Sequence, residues 1–352
     1  MPECVLAAAV LDHDLERIGE KTLGNLHELI LELTDSCSQL CRHCSSMSGP
    51  HGRNFLRREL ALNLVHQARS LGVKQINFGG GEPTSSPAFI EVLNAVISSQ
   101  MAAEVYTSGV VRNENAIAPL NHNLIESILG LPSLKFIFTF HGAKAELHDY
   151  VADSPGSFLV LIDSLRRCLD AGITCEINFV PLRLNASSLS DVIKLAASFK
   201  ITRVNILRFV PQGRGYKNRA ELELNAEEEA GFIRELIYLR AGTRIEIRTG
   251  SPFNSIIPGN NIPCRAGWAK LVVQASGNII PCEVFKHHER CNWGLSVYNY
   301  SLSAALESPQ LISLKKLLIK TGRFNCPIHN AANSLQHLEE YRALPNPSVY
   351  TW

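Results

Sequence analysis

Cys37-Ser38-Gln39-Leu40-Cys41-Arg42-His43-Cys44 places three cysteines in one loop at C-x3-C-x2-C spacing, directly after the apolar, strand-like run His27–Leu33. Thiolates so spaced can wrap around a single metal centre, and their number narrows which one. A closed structural zinc site takes four ligands, usually as two separated pairs, and a fully ligated cubane takes four cysteines. Three thiolates on a four-iron cluster leave one iron open, and an open position is where chemistry can happen. Gly79-Gly80-Gly81-Glu82-Pro83 follows a second strand-like run, Gln75–Phe78. Glycines there let backbone approach a ligand closely.

Around these loops the pattern alternates. Strand-like runs are Glu28–Leu33, Gln75–Phe78, Glu104–Thr107, Lys135–Phe140, Thr174–Val180 and Arg203–Phe209. Helical patterns lie near Glu59–Leu71, Pro87–Ser99, Asn123–Leu129, Leu159–Ala171, Leu189–Phe199 and Ala226–Leu239, and Gly72, Gly130 and Gly172 punctuate the turns. These units predict an α/β fold with a parallel sheet, a partial (β/α)6 TIM-like barrel. Both motifs then stand at the C-terminal ends of strands, where the active sites of such sheets gather.

The character changes near residue 250. Ser251–Pro263 is rich in Pro, Gly and Asn and reads as a linker. Beyond it come Cys264, Cys282, Cys291 and Cys326, with short β-like runs at Lys270–Val273 and Asn278–Ile280 and a hairpin turn at Ser276-Gly277-Asn278. This reads as a small second domain held by a metal. The expected organisation is an N-terminal extension over 1–26, the barrel over 27–250, an auxiliary cluster domain over 251–335 and a tail over 336–352.

The 352 residues are 45% apolar, enough to bury a sizeable core. A formal net charge of +1 gives no basic or acidic surface for nucleic acid or an anionic membrane. No stretch reaches the roughly eighteen apolar residues of a membrane span. Val5–Leu11 follows Glu3 and precedes Asp12, so it lacks the basic start of a signal peptide. A cytoplasmic protein without nucleic-acid or membrane partners is expected, with its clustered cysteines as ligands rather than cross-links. Cys168, on a predicted helix, reads as a small buried hydrophobe.

Taken together, Cys37-x3-Cys41-x2-Cys44 and Gly79-Gly80-Gly81-Glu82-Pro83-Thr84 resemble the radical S-adenosylmethionine (SAM) superfamily. Cys264 followed by Gly277-x4-Cys282 is similar to the signature of its SPASM/twitch auxiliary-cluster domain. The resemblance implies that Cys37, Cys41 and Cys44 hold a [4Fe–4S] cluster whose open iron chelates SAM. One electron would cleave the sulfonium, and the 5′-deoxyadenosyl radical would take a hydrogen atom from a substrate C–H bond. It also implies that Gly79, Gly80, Gly81 and Glu82 face the methionine end of SAM. Ser108, Ser157, Asn178 and Arg208 match SAM-side positions, and His43 stands near the adenine. Plainer alternatives accompany these roles: Glu82 as a helix N-cap, Ser108, Ser157 and Asn178 as satisfied structural polar groups, and Arg214 of the Pro211–Gly215 segment as a solvated turn residue. His141 would touch SAM or substrate, or brace its strand end.

The same resemblance implies a second iron–sulfur cluster, a [4Fe–4S] centre on Cys264, Cys282 and Cys326, with a zinc knuckle as the alternative. Where the family carries a late C-x2-C pair, this chain has Cys326-Pro327-Ile328-His329. The fourth ligand is therefore Cys291, His329 or none. As a ligand, Cys291 closes the centre; as a free thiol near the substrate, it would return a hydrogen atom to a carbon radical. The implied function is hydrogen abstraction from a peptide in ribosomal peptide maturation, by cross-linking or epimerisation, fed by an electron donor such as flavodoxin or ferredoxin. The rivals are a small-molecule dehydrogenase or epimerase, as in aminoglycoside pathways, and a non-catalytic iron–sulfur or zinc scaffold. Thirty-six residues before Cys37 are too few for a leader-binding winged-helix module, which a separate partner could supply.

Overall fold

Glu28–Thr34 (β1) is buried at every position but the first, as a strand covered on both faces must be. It sits inside a nine-stranded sheet of a computed structural model that describes residues 26–114, 116–286, 293–320 and 326. The further strands are Gln75–Gly80 (β2), Ala102–Thr107 (β3), Leu134–Thr139 (β6), Thr174–Phe179 (β7), Arg203–Ile206 (β8), Glu246–Thr249 (β9), Lys270–Val273 (β10) and Ile279–Ile280 (β11). A separate antiparallel ribbon joins Val110–Asn113 (β4) to Ala116–Pro119 (β5). The main order is β11-β10-β1-β2-β3-β6-β7-β8-β9, parallel throughout except at the β10–β11 hairpin.

All six expected strands lie in this sheet, and the α/β partial-barrel expectation holds. Alternation along each strand separates two faces. Leu29, Leu31, Leu33, Phe78, Val105, Phe136, Phe138, Ile177 and Phe179 form an apolar face that is fully buried. Helices with apolar stripes, such as Ala61, Leu64 and Val65 of Arg58–Ser70 or Leu161 and Leu165 of Ser157–Asp170, complete the same core. The opposite face is polar. There Lys135 bridges Glu104 (3.5 Å) and Glu176 (3.1 Å), Arg203 binds Glu176 at 2.8 Å, and Asn77 donates to Glu28 at 2.8 Å.

Several elements depart from the sequence reading. The sixth expected strand stops at Ile206, and Leu207 N–H to the Phe179 carbonyl (2.9 Å) is its last rung, so Arg208 lies beyond it. β9 and β10 extend the sheet at its two edges. β10 pairs in parallel with β1, from Glu28–Lys270 to Leu31–Val273, and the hairpin expected at Ser276–Asn278 joins β10 to β11. The helix Ala145–Ala152 and the β4–β5 ribbon were unforeseen, as was Pro309–Lys320. No helix among the described residues is long and apolar enough to cross a membrane.

Candidate active site

The cysteine loop leaves β1 and is held by contacts from far along the chain. Leu40 and Arg42 donate their N–H groups to the carbonyls of Ala152 (3.2 Å) and Val151 (2.9 Å). From the turn after β8, Arg214 donates Nε to the Cys41 carbonyl (2.9 Å), Nη2 to that of Ser48 (2.6 Å) and its own N–H to that of Cys44 (3.0 Å). Asn218 caps the Arg42 carbonyl at 2.9 Å. Gly213, at φ +59°, packs so closely that a Cβ would lie 2.7 Å from the carbonyl oxygens of Cys44 and Ser45. With its carbonyls spoken for, the loop is left with its three thiols.

The three cysteines are half-buried, and their thiols are electrostatically in touch. Burial pushes the Cys37 thiol up to about 12, with the Glu82 carboxylate adding to it. Burial and then the Cys37 and Cys44 thiols hold Cys41 well above its ordinary value. Such thiols ionise only with a cation to compensate them, which is what a thiolate-ligated metal centre provides. Among the described residues no three ligand-type side chains converge tightly enough for a single metal ion. Three soft thiols on one loop are one short of a closed zinc site's four, a donor set that suits an iron–sulfur cluster with one open iron.

The glycine run brings the end of β2 against this loop. Gly80 has φ +100°, and a Cβ there would stand 2.6 Å from the Thr34 carbonyl; one at Gly81 would stand 2.1 Å from that of Ser36. Gly79 is different. Its Cβ position has nothing nearer than Ile30, at 4.0 Å, so the missing side chain leaves room for a ligand. Glu82, 1% exposed, accepts from the hydroxyls of Thr84 (2.7 Å), Thr107 (2.8 Å) and Ser108 (2.7 Å) and from the Ser108 N–H (2.9 Å). It also caps the short turn Pro83–Ser85, whereas its N-cap alternative expects a surface carboxylate on the helix near Pro87, which starts instead after Ala88. Burial raises its pKa despite these donors.

Three histidines stack beside the loop. His43 meets His141 edge-on at 4.8 Å between centroids, and His141 lies 4.9 Å from His148. Burial lowers all three, His43 and His148 to about 4. His148 Nδ1 accepts the His141 backbone N–H at 3.2 Å, while Asn185 binds the His141 carbonyl at 3.0 Å. Among the described residues, His43 Nδ1, His141 Nδ1 and the Oδ1 of Asn178 are buried without a hydrogen-bond partner. Orphaned polar atoms of this kind call for a ligand to satisfy them.

Two expected site residues are engaged elsewhere. Ser157 Oγ donates to Asp149 (3.0 Å), which also takes the N–H groups of Gly156 and Phe158 and so caps a helix. Arg208 binds Glu229 at 2.8 Å and the Pro252 carbonyl at 3.0 Å, in the wall of a cavity of about 270 Å³ shared with Phe209, Phe232 and Phe253. The sequence reading undervalued Arg214 and missed His148 and Asn185. Only Arg214 carried a signal, its place between Gly213 and Gly215.

The C-terminal cysteines form a second neighbourhood. Cys264 and Cys326 are each 5% exposed; burial raises Cys264 to about 11, and the Cys326 thiol adds to the rise. Burial also holds Cys282 up, followed by Glu283, with Cys264 contributing. Cys291 and His329 lie outside the described residues.

Comparison with known proteins places this geometry. The chain is 28% identical over 271 residues to the mycofactocin maturase MftC of Mycobacterium ulcerans, covering 74% of this chain and 69% of that protein. To the PqqA peptide cyclase of Rhodopseudomonas palustris it is 24% identical over 277 residues, 76% of this chain and 70% of the relative. The structure of Streptococcus suis SuiB bound to S-adenosylmethionine shares the fold, with a TM-score of 0.62 at 16% identity, over 91% of this chain and 71% of that one. Residues 31–196 match the family model of the Radical SAM superfamily, and the span runs from β1 and the cysteine loop through the glycine run to the helix Leu189–Ser198. Residues 31–196 thus carry a radical SAM domain.

Proposed function

We propose that this enzyme reductively cleaves SAM and abstracts a hydrogen atom from a peptide substrate during ribosomal peptide maturation. The observation that carries the reading is the meeting of three half-buried cysteines with Glu82 and the glycine run at one end of the sheet. A [4Fe–4S] cluster on Cys37, Cys41 and Cys44, with SAM at its open iron, supplies one-electron cleavage of the sulfonium and hydrogen-atom abstraction.

The chain's own residues position that chemistry. Gly79 offers backbone and open space to the methionine end, Gly80 and Gly81 fix the approach of β2 to the loop, and Glu82 ties that end to Ser108 on β3. Asn178 Oδ1 and His43 Nδ1 offer buried hydrogen-bonding positions to the polar groups of SAM. The hydroxyl of Ser108 donates to Glu82, accepts the Val110 N–H and keeps one lone pair to accept from SAM.

Cys264, Cys282 and Cys326 hold a second iron–sulfur cluster in this proposal, supported by the burial of Cys264 and Cys326 and by the electrostatic contact of Cys264 with both other thiols. The segment 251–335 acts as an auxiliary domain seated on β1 through β10. A flavodoxin- or ferredoxin-type donor supplies the electron. A peptide substrate is favoured because a maturase and a peptide cyclase align with about three quarters of the chain.

The test is anaerobic reconstitution with iron and sulfide, followed by SAM and dithionite. Formation of 5′-deoxyadenosine supports the cleavage, and a mass change in a precursor peptide encoded beside the gene supports the substrate class. A colourless protein with one tightly held zinc would sink the proposal, and turnover confined to small molecules would replace the peptide.

A further inference from the structure

We infer that Lys286 is a positioning residue for the cysteine triplet: a buried cation, delivered by the C-terminal cysteine segment, that raises the reduction potential of the centre held by Cys37, Cys41 and Cys44. The inference rests on the reading that the triplet carries a cluster.

Lys286 forms an ion pair with Glu32, and the two side chains are 7% and 6% exposed. Its Nζ also donates to Ser46 Oγ at 2.6 Å. Glu32 stands on β1 opposite Gly79, and Ser46 follows Cys44 by two positions. One ammonium group therefore touches both the strand that leads into the cysteine loop and the loop itself. Burial works against its charge; Glu32 first, then Glu283 and the Cys44 thiol, outweigh that and keep it a cation.

The charge around the triplet is two-sided. Arg214 is in electrostatic contact with Cys37 and Cys41, and Lys286 with Cys44. Reduction adds one negative charge to a cluster, and in a dry site a nearby fixed cation stabilises the reduced form. The two cations differ in origin. Arg214 is pinned by the loop's own carbonyls. Lys286 comes from a different part of the chain, four residues after Cys282 and joined to it through the short turn Glu283–Phe285. Its position is thus set by the C-terminal cysteine site, which gives that site an electrostatic hold on the first.

The experiment is a potentiometric titration of the full chain, reconstituted anaerobically and followed by electron paramagnetic resonance. The triplet's signal is the one that changes when SAM is added, and potentials are then read without SAM. Wild type is compared with Lys286→Met, Lys286→Arg and Glu32→Gln at one pH. In Lys286→Met the potential moves down. At the poise that half-reduces wild type, its ratio of reduced to oxidised centre falls about threefold or more, roughly half a decade on the one-electron scale. Lys286→Arg keeps the wild-type value, and Glu32→Gln, which strips the counter-charge, moves it up. Unchanged potentials in Lys286→Met and Glu32→Gln at wild-type iron content would overturn the inference. If Lys286→Met does not fold, the sign of the Glu32→Gln shift decides, and no shift or a downward one overturns it. A wild-type chain that binds no iron would instead sink the underlying reading.

Discussion

Arg214 and Cys41 lie 173 positions apart in sequence, yet Nε of the arginine donates to the cysteine's carbonyl at 2.9 Å. The same guanidinium reaches the Ser48 carbonyl, so one planar group ties the middle of the cysteine loop to the segment that follows it. An ammonium on a flexible stem cannot hold two carbonyls in that fixed fork.

Replacing Arg214 by Lys should therefore loosen the loop. Hydrogen bonds from a charged donor contribute about 1.5–3 kcal/mol each, and one of the two should be lost. We expect a lower melting temperature and fewer irons per chain after reconstitution, read by thermal denaturation and iron assay. Wild-type values for both would show that the guanidinium is not the clamp.

The two cysteine sets should fail differently. Cys41→Ala removes a ligand from the proposed SAM-bearing centre, and 5′-deoxyadenosine formation should vanish. Cys282→Ala should spare part of that cleavage while peptide product is lost. Chromatography for the nucleoside and mass spectrometry for the peptide separate the two outcomes, and full product from Cys282→Ala would remove any role for the second centre.

Gly80 and Gly172 both have positive φ, +100° and +73°, but their surroundings differ. A Cβ at Gly172 meets nothing within 4 Å, so Gly172→Ala should cost only the backbone penalty of about 1–2 kcal/mol. At Gly80 the new carbon would lie 2.6 Å from the Thr34 oxygen and 2.8 Å from the Glu32 Cβ, both in neighbouring β1. Gly80→Ala should be far more damaging, with a urea midpoint well below that of Gly172→Ala. Equal midpoints would mean β1 and β2 can part at no cost.

His148 makes stability depend on pH. Burial holds its pKa at about 4, with Asp149 pulling the other way. An unfolded chain takes up that proton near pH 6.5, while the folded one resists until about pH 4, so stability is lost as pH falls through this window. The loss from this residue amounts to about 3 kcal/mol. His148→Asn offers an oxygen to the His141 N–H and does not titrate. Its denaturant midpoint should fall less between pH 7 and pH 4.5 than that of wild type, and identical slopes would count against a buried neutral His148.

What could be read from sequence was local. Cys37, Cys41 and Cys44 announce themselves because ligand spacing on one loop survives any fold, and Gly79–Glu82 because it follows an apolar run directly. The strands were legible where apolar runs were long and closed by glycine. Arg203–Phe209 overran because its apolar residues continue past the last ladder rung at Leu207. Arg208 and Arg214 looked alike on paper. Only the folded chain sends one to Glu229 and the other to the cysteine loop. His148 and Lys286 acquire their meaning from partners far away in sequence or across a turn, and no periodicity encodes such meetings.

The parallel pairing of β10 with β1 also bears on how the molecule is made. As the chain leaves the ribosome, β1 emerges early and β10 late, so one flank of the strand that carries the cysteine loop stays bare through most of synthesis. A naked strand flank invites pairing with other chains. A nascent chain would present its cysteine loop before Lys286, which donates to Ser46, has been translated.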